Sequence, residues 1–169
     1  NDILRRFTRE NPGSELTFRC ENTGSVEERL LSNQTDIALV EGTIRSPQIC
    51  TEDVMDDELV LIVSPEHPFA KRKSIDAHSL SDERFIIREE GSGTREIFEQ
   101  TMALHGIQYQ TAGVLNNAEA IKLAVSAGLG ISVMSKRSIS GELKRKELAS
   151  VKIHEIQFKR KFKLAYHRN

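Results

Sequence analysis

The sequence predicts a two-lobed α/β protein, on three observations. Strand-like and helix-like hydrophobic periods alternate along the chain. The alternation runs twice, once on each side of a stretch around residues 60–85. Strand patterns pass into helix starts through short loops rich in Gly, Ser, Thr or Asn, as in βαβ units built on a largely parallel sheet. At 169 residues, 38% of them hydrophobic, the chain is long enough to bury a core without disulfides or metals.

Taken in order, Ile3, Leu4 and Phe7 have helical spacing, and "NPG" at 11–13 ends that helix. "ELTFRCE" (15–21) alternates like a strand, "SVEERLLSN" (25–33) reads as a short helix, and "TDIALVEG" (35–42) as a buried strand. "ICTEDVMDDELVLIVSP" reads as two extended segments ending at Pro65. A polar connection with one short helical turn fills 66–83, before the strand "RFII". A helix is predicted from Thr94 to His105, with Ile97, Phe98, Thr101 and Met102 on its apolar face. A strand (109–115), a helix (117–128), a strand (130–135), a short helix (139–147) and two final strands complete the chain.

Net charge is −1, so the chain as a whole carries no electrostatic argument for nucleic acid. From Lys136 onward eleven Lys/Arg stand against three Asp/Glu. Because basic and apolar residues alternate there, the run reads as a solvated helix face and an edge strand guarded by lysines. Cys20 and Cys50 lack CxxC or Cys/His spacing and read as reduced structural thiols of a cytoplasmic protein. No apolar run reaches the roughly 20 residues of a membrane helix, and the opening "NDILRRFTREN" is amphipathic, unlike a secretory leader.

Three strand-to-helix loops are the places to look for function. In "CENTGSVEERLL", Ser25 and Glu28 form an S-x-x-E capping box, which makes Ser25 the expected N-cap. In "REEGSGTREIF", Gly91 and Gly93 permit close backbone approach, and Ser92 and Thr94 bring hydroxyls to a helix start. In "VLNNAEAIK", Asn116 and Glu119 make a second box, with Asn117 in the first turn. Free N–H groups at such starts suit an anion or carboxylate.

Catalytic and cofactor motifs are missing. "GSGTRE" lacks the Gly-Lys-Ser/Thr ending of a phosphate loop and the third glycine of a dinucleotide fingerprint, and Ser92 is in no G-x-S-x-G elbow. The five histidines are scattered, without zinc-helix spacing, and His67 between two prolines reads as a turn residue. The expectation is a binding protein with no metal or cofactor, and not an enzyme.

"LRRFTRENPGSEL", "ENTGSVEERLLSNQTDIALVEG", "DELVLIVSPEHPFA", "REEGSGTREIFEQTMALHGI" and "AEAIKLAVSAGLGISVMS" occur in an order and spacing that resemble the effector-binding domain of LysR-type transcriptional regulators. The resemblance spans essentially the whole chain. It implies a type 2 periplasmic-binding-protein-like fold: two Rossmann-like lobes joined by two crossover strands, with an effector between them. Lobe I would be residues 1–60 and 164–169, lobe II residues 61–163. Carried over position by position, the effector contacts fall on Thr23, Glu41, Ser92, Gly93 and Thr94, with Arg95 and Asn117 beside them.

Against the family pattern, a first strand with its Ser/Thr-bearing loop, a last helix and the DNA-binding winged helix-turn-helix are absent from these 169 residues. The implied function is sensing of a small, anionic metabolite that shifts the arrangement of a homodimer or homotetramer. Operator DNA would be reached only through the missing N-terminal domain, and no membrane is implied. The helix from Ser25 to Ser32 is a candidate dimer contact, with Leu30 and Leu31 reading equally as contact residues or as ordinary core residues. A solute-binding protein of a transporter is the alternative with the same fold.

Overall fold

The structure is a computed structural model and describes residues 2–168. Two long antiparallel strands, β2 (Ile49–Val63) and β8 (Phe158–His167), form its spine. At one end β8 also pairs with β1 (Ile37–Val40), and helices α1 (Asp2–Glu10) and α2 (Thr23–Leu31) precede β1 in the chain. Leu30 is fully buried there with Val40, Ile49 and Ala165, forming a small core, while Leu31 stays at the surface.

At the other end β2 pairs with β6 (Ser132–Ser135) on one side and β7 (Ala149–Ile153) on the other. The two-residue β3 (Ser74–Ile75) adds to β7 in parallel. β4 (Arg84–Arg88) pairs in parallel with β5 (Gln110–Leu115), and bonds to the residue before β6 through Ile86 N–H to Ile131 O (2.8 Å) and Ile131 N–H to Arg84 O (2.9 Å). Alternate residues of β2 face opposite sides. Leu61 and Val63 pack in one cluster with Phe98 and Met102 of α3 (Gly93–Leu104), and Ile62 packs in another with Ile121 and Val125 of α4 (Ala118–Ser126). Helices therefore cover both faces of this part of the sheet, and the short α5 (Ser140–Arg145) adds Leu143 to the second cluster.

Four expectations are corrected. The sheet is not largely parallel: every ladder of β2 and β8 is antiparallel. Helices intervene between the strands as in βαβ units, but periodicity does not report strand direction. "ICTEDVMDDELVLIVSP" is not two strands, because β2 continues through a register shift between Asp53 and Met55, a bulge that bends a strand without ending it. "ELTFRCE" has no ladder partner among the described residues, and Leu16 and Phe18 are exposed; alternation prepares a strand, but a neighbour must complete it. β8 is an edge strand only in its first half: 158–162, with Lys159 and Lys161 exposed, pairs with β2 alone among the described residues, while 163–166 lies between β1 and β2.

The polar connection holds two 3-10 turns, Pro68–Lys71 and Ala77–Asp82. His67 has the turn role expected of it, accepting the Phe69 N–H at Nδ1 (3.2 Å). Cys20 is exposed, Cys50 half-buried, and both are free thiols.

Candidate functional site

Two of the three helix starts are capped away from where the capping boxes point, by three positions at α2 and by one at α4. Asn22, not Ser25, caps α2, its Oδ1 accepting the Ser25 N–H at 3.0 Å. Asn117, not Asn116, caps α4 and accepts from the N–H groups of Glu119 (2.8 Å) and Ala120 (3.2 Å). A residue three positions before a Glu is a statistical cap; the side chain that reaches the free N–H groups decides. Ser92 stands at the N-cap of α3, yet its hydroxyl makes no capping bond and is buried without a partner.

The loops before α2 and α3 meet face to face. Gly24 N–H donates to Gly91 O (3.2 Å), and Asn22 Nδ2 donates to Glu89 Oε1 (3.2 Å) and Glu90 O (3.4 Å). Thr43 N–H donates to Glu96 Oε2 (3.1 Å). Gly42 and Gly93 touch closely: a Cβ on Gly93 would stand 2.5 Å from both Cα and N of Gly42. Only glycine fits that approach. Thr23 is buried in this seam, where its Oγ1 accepts the Gly42 N–H (3.2 Å).

Beside the seam, toward β2 and β8, lies a cavity of about 360 Å³. Its polar wall includes Glu41, Arg88, Thr94, Arg137, Arg160 and Ser135, with Ala118, Met134 and Phe162 supplying apolar surface. Asp57 on β2 and Arg160 on β8 stand directly opposite in the ladder. Their side chains are 0% and 5% exposed, and Arg160 Nε donates to Asp57 Oδ2 at 2.7 Å. Ser135 Oγ donates to the other oxygen of Asp57 (2.7 Å). Arg160 Nη1 donates to Thr94 Oγ1 at 2.8 Å, and Glu41 Oε1 stands 3.7 Å from it. The pair therefore ties the spine to the start of α3.

Of the residues predicted from sequence, Glu41 and Thr94 line this cavity. Thr23, Ser92 and Gly93 lie in the adjoining seam. Arg95 pairs along its own helix with Glu99 (2.7 Å), which raises its pKa chiefly through that hydrogen bond. Asn117 is spent on capping α4, whose first residue, Ala118, faces the cavity. Arg88, Arg137, Arg160 and Asp57 were not singled out in the sequence. The signal was present for two of them: Arg160 alternates in phase with Phe158 and Phe162, and Asp57 with Leu59 and Leu61.

A second, larger cavity of about 560 Å³ opens on the other side of the seam, against α2. Its arginines are already engaged, Arg29 with Glu21 (2.6 Å) and Arg88 with Glu89 (2.8 Å), and Glu28 adds a further carboxylate. Net negative walls make it the poorer place for an anion. No His or Cys lines the smaller cavity, and among the described residues no three His, Cys, Asp or Glu side chains gather as a metal site. Its lining offers donors and acceptors for binding.

The family model described as the LysR substrate binding domain matches residues 1–169. The chain belongs to that family. It is 33% identical over 166 residues to the RuBisCO operon transcriptional regulator of Allochromatium vinosum, covering 98% of this chain and 55% of that protein. It is 31% identical over 159 residues to the HTH-type transcriptional regulator CysL of Bacillus subtilis, covering 94% and 53%. The chain thus spans about half the length of these relatives. Among solved structures, the Synechocystis PCC6803 CcmR regulatory domain in complex with 2-PG superposes with a TM-score of 0.90 at 31% identity, over 99% of this chain and 81% of that one. The effector binding domain of QuiR in complex with shikimate gives 0.87 at 26% identity, over 99% and 80%. The fold is the type 2 periplasmic-binding-protein-like fold of LysR effector domains, and the relatives are regulators, which decides against the transporter reading.

Proposed function

We propose that this chain senses a small anionic metabolite on behalf of a DNA-binding transcriptional regulator, and that the 360 Å³ cavity beside the seam receives it. The observation that carries the reading is Arg137, whose guanidinium has no carboxylate closer than 3.9 Å among the described residues and which lines, with Arg88 and Arg160, one cavity between the start of α3 and the β2–β8 spine. Arginine is the side chain suited to carboxylates and phosphates, presenting its N–H groups as a rigid fork. The 2-PG and shikimate complexes of the two structural relatives support the same kind of ligand.

In this reading lobe I comprises residues 1–60 and 164–169 and lobe II residues 61–163. The cores divide accordingly except for Leu59 and Val60, which pack with the second lobe. Glu41 stands on the first lobe and Thr94 on the second, so a ligand between them acts on lobe closure. The domain performs no chemistry and works in the cytoplasm as a homodimer or homotetramer, reaching operator DNA through an N-terminal domain of the whole regulator. Since Leu30 serves the lobe I core, α2 offers a partner Leu31 alone of its leucine pair.

Thermal unfolding of the chain against a panel of carboxylates and phosphate esters tests the reading. Stabilisation by at least one anion, lost in Arg137→Ala, is expected. No stabilisation by any anion of the panel refutes it.

A further inference from the structure

Resting on that reading, we infer that the cavity selects anions that also carry a hydroxyl, such as a hydroxylated carboxylate or phosphate ester, over plain organic anions of the same size. The inference comes from what its polar walls leave unfilled. Arg160 has five N–H donors held in one plane. Its Nε is taken by Asp57 and one Nη1 donor by Thr94. Among the described residues the remaining donors meet no acceptor at hydrogen-bond distance, although the side chain is only 5% exposed. Glu41, 28% exposed, comes no nearer to Arg160 than 3.7 Å, beyond hydrogen-bond range.

A donor-only group and an acceptor-only group thus face each other across a gap that neither closes, with the free Nη2 of Arg160 still open to solvent. A hydroxyl is the neutral group that fills it, donating to Glu41 while accepting from Arg160. A bare carboxylate there satisfies Arg160 but brings a like charge to Glu41.

Charge balance points the same way. Asp57 neutralises Arg160 at 2.7 Å, and Glu89 neutralises Arg88 at 2.8 Å. Arg137, 65% exposed, has a carboxylate no closer than Asp57 at 3.9 Å. The cavity therefore holds one loosely paired cation, the exposed Arg137, and one carboxylate, Glu41. A ligand with its anion at Arg137 and its hydroxyl at Glu41 matches both. A site built around a ligand hydroxyl rejects the analogue without it, because its own polar groups are then left unpaired.

Isothermal titration of this 169-residue chain with matched pairs tests the inference: glycerate against propanoate, shikimate against cyclohexene-1-carboxylate, glycerol 3-phosphate against propyl phosphate. The hydroxylated member of at least one pair is expected to bind about 10- to 100-fold tighter, the range of one hydrogen bond to a charged group. Glu41→Ala is expected to erase that preference by weakening the hydroxylated member alone. Equal binding of both members by the unmodified chain, or a preference that survives Glu41→Ala, overturns the inference and leaves anion sensing standing. Failure of every anion to bind removes the underlying reading instead.

Discussion

Arg160→Met is the sharpest probe of the spine. Methionine keeps most of the side-chain length and the packing against Phe162, over whose ring the guanidinium carbon lies at 5.4 Å. What it removes is the partner of a carboxylate with no exposed surface. Breaking a buried pair from one side costs about 3–5 kcal/mol, because the remaining charge is stranded. Asp57 retains Ser135 Oγ at 2.7 Å and Arg137 at 3.9 Å, so the loss belongs near the lower end, about 3 kcal/mol. For a domain of this size that is a drop in Tm of roughly 6–12 °C. Urea unfolding of the chain, of Asp57→Asn, of Arg160→Met and of the double variant closes the cycle. The double variant should recover much of the loss, with a coupling above about 1 kcal/mol. A cost below about 1 kcal/mol for Arg160→Met, or additivity within about 0.5 kcal/mol, would refute the view that the pair is a coupled, buried tie.

Three further outcomes are expected. Gly93→Ala places a methyl against Gly42 backbone that has no flexible end to give way; it should cost about 1–3 kcal/mol and quicken hydrogen exchange at 22–24 and 89–93, and unchanged exchange there would contradict the tight seam. Ser92→Ala removes a buried hydroxyl that bonds to nothing, so stability should rise by about 1 kcal/mol in thermal melts, whereas a loss would mean the hydroxyl has a partner. For Glu89, burial pushes the carboxyl up, but the hydrogen bonds from Arg88, its own backbone N–H and Asn22 outweigh it and hold the pKa below the usual 4.5. Its contribution is therefore complete above the unfolded value and disappears as pH falls through the lower folded one. Glu89→Gln should flatten the fall in Tm between about pH 5 and 3, and an unaltered acid limb would exclude Glu89 from the seam's pH response.

The elements of the fold were legible because their signals are local. The apolar face Ile97, Phe98, Thr101 and Met102 is the face of α3 that meets the sheet, with Phe98 and Met102 buried. "RFII" is a strand because Phe85, Ile86 and Ile87 are buried with both faces covered. Pairing was less legible, since the β8 partners of β2 lie about a hundred residues or more along the chain, from Leu59↔Phe158 to Ile49↔His167, and nothing in its own sequence names them. Of the site, the loops were legible and the cavity was not. Thr94 announces itself by its place in a strand-to-helix loop and Glu41 only through the family resemblance, but the guanidinium that stands between them comes from a basic run read as solvent-facing.

That run shows how a period can carry a functional signal that a charge count hides. In "FKRKFK" the lysines occupy one phase, and Lys159 and Lys161 are exposed. Arg160 shares the other phase with Phe158, a fully buried residue, and stands opposite Asp57, which shares its phase with Leu59. Two opposite charges in the inward phase of two paired strands break the binary pattern at the same rung, and an inward charge needs a partner or a task. The rung has both. Asp57 is the partner, and the donors that Arg160 keeps in reserve open onto the cavity. Under the proposed function, β2 and β8 are common to the two lobes, and a ligand held by Arg160 would act on both. On the proposed reading, its affinity must then differ between lobe arrangements, and that difference is the whole of the signal the domain can pass on.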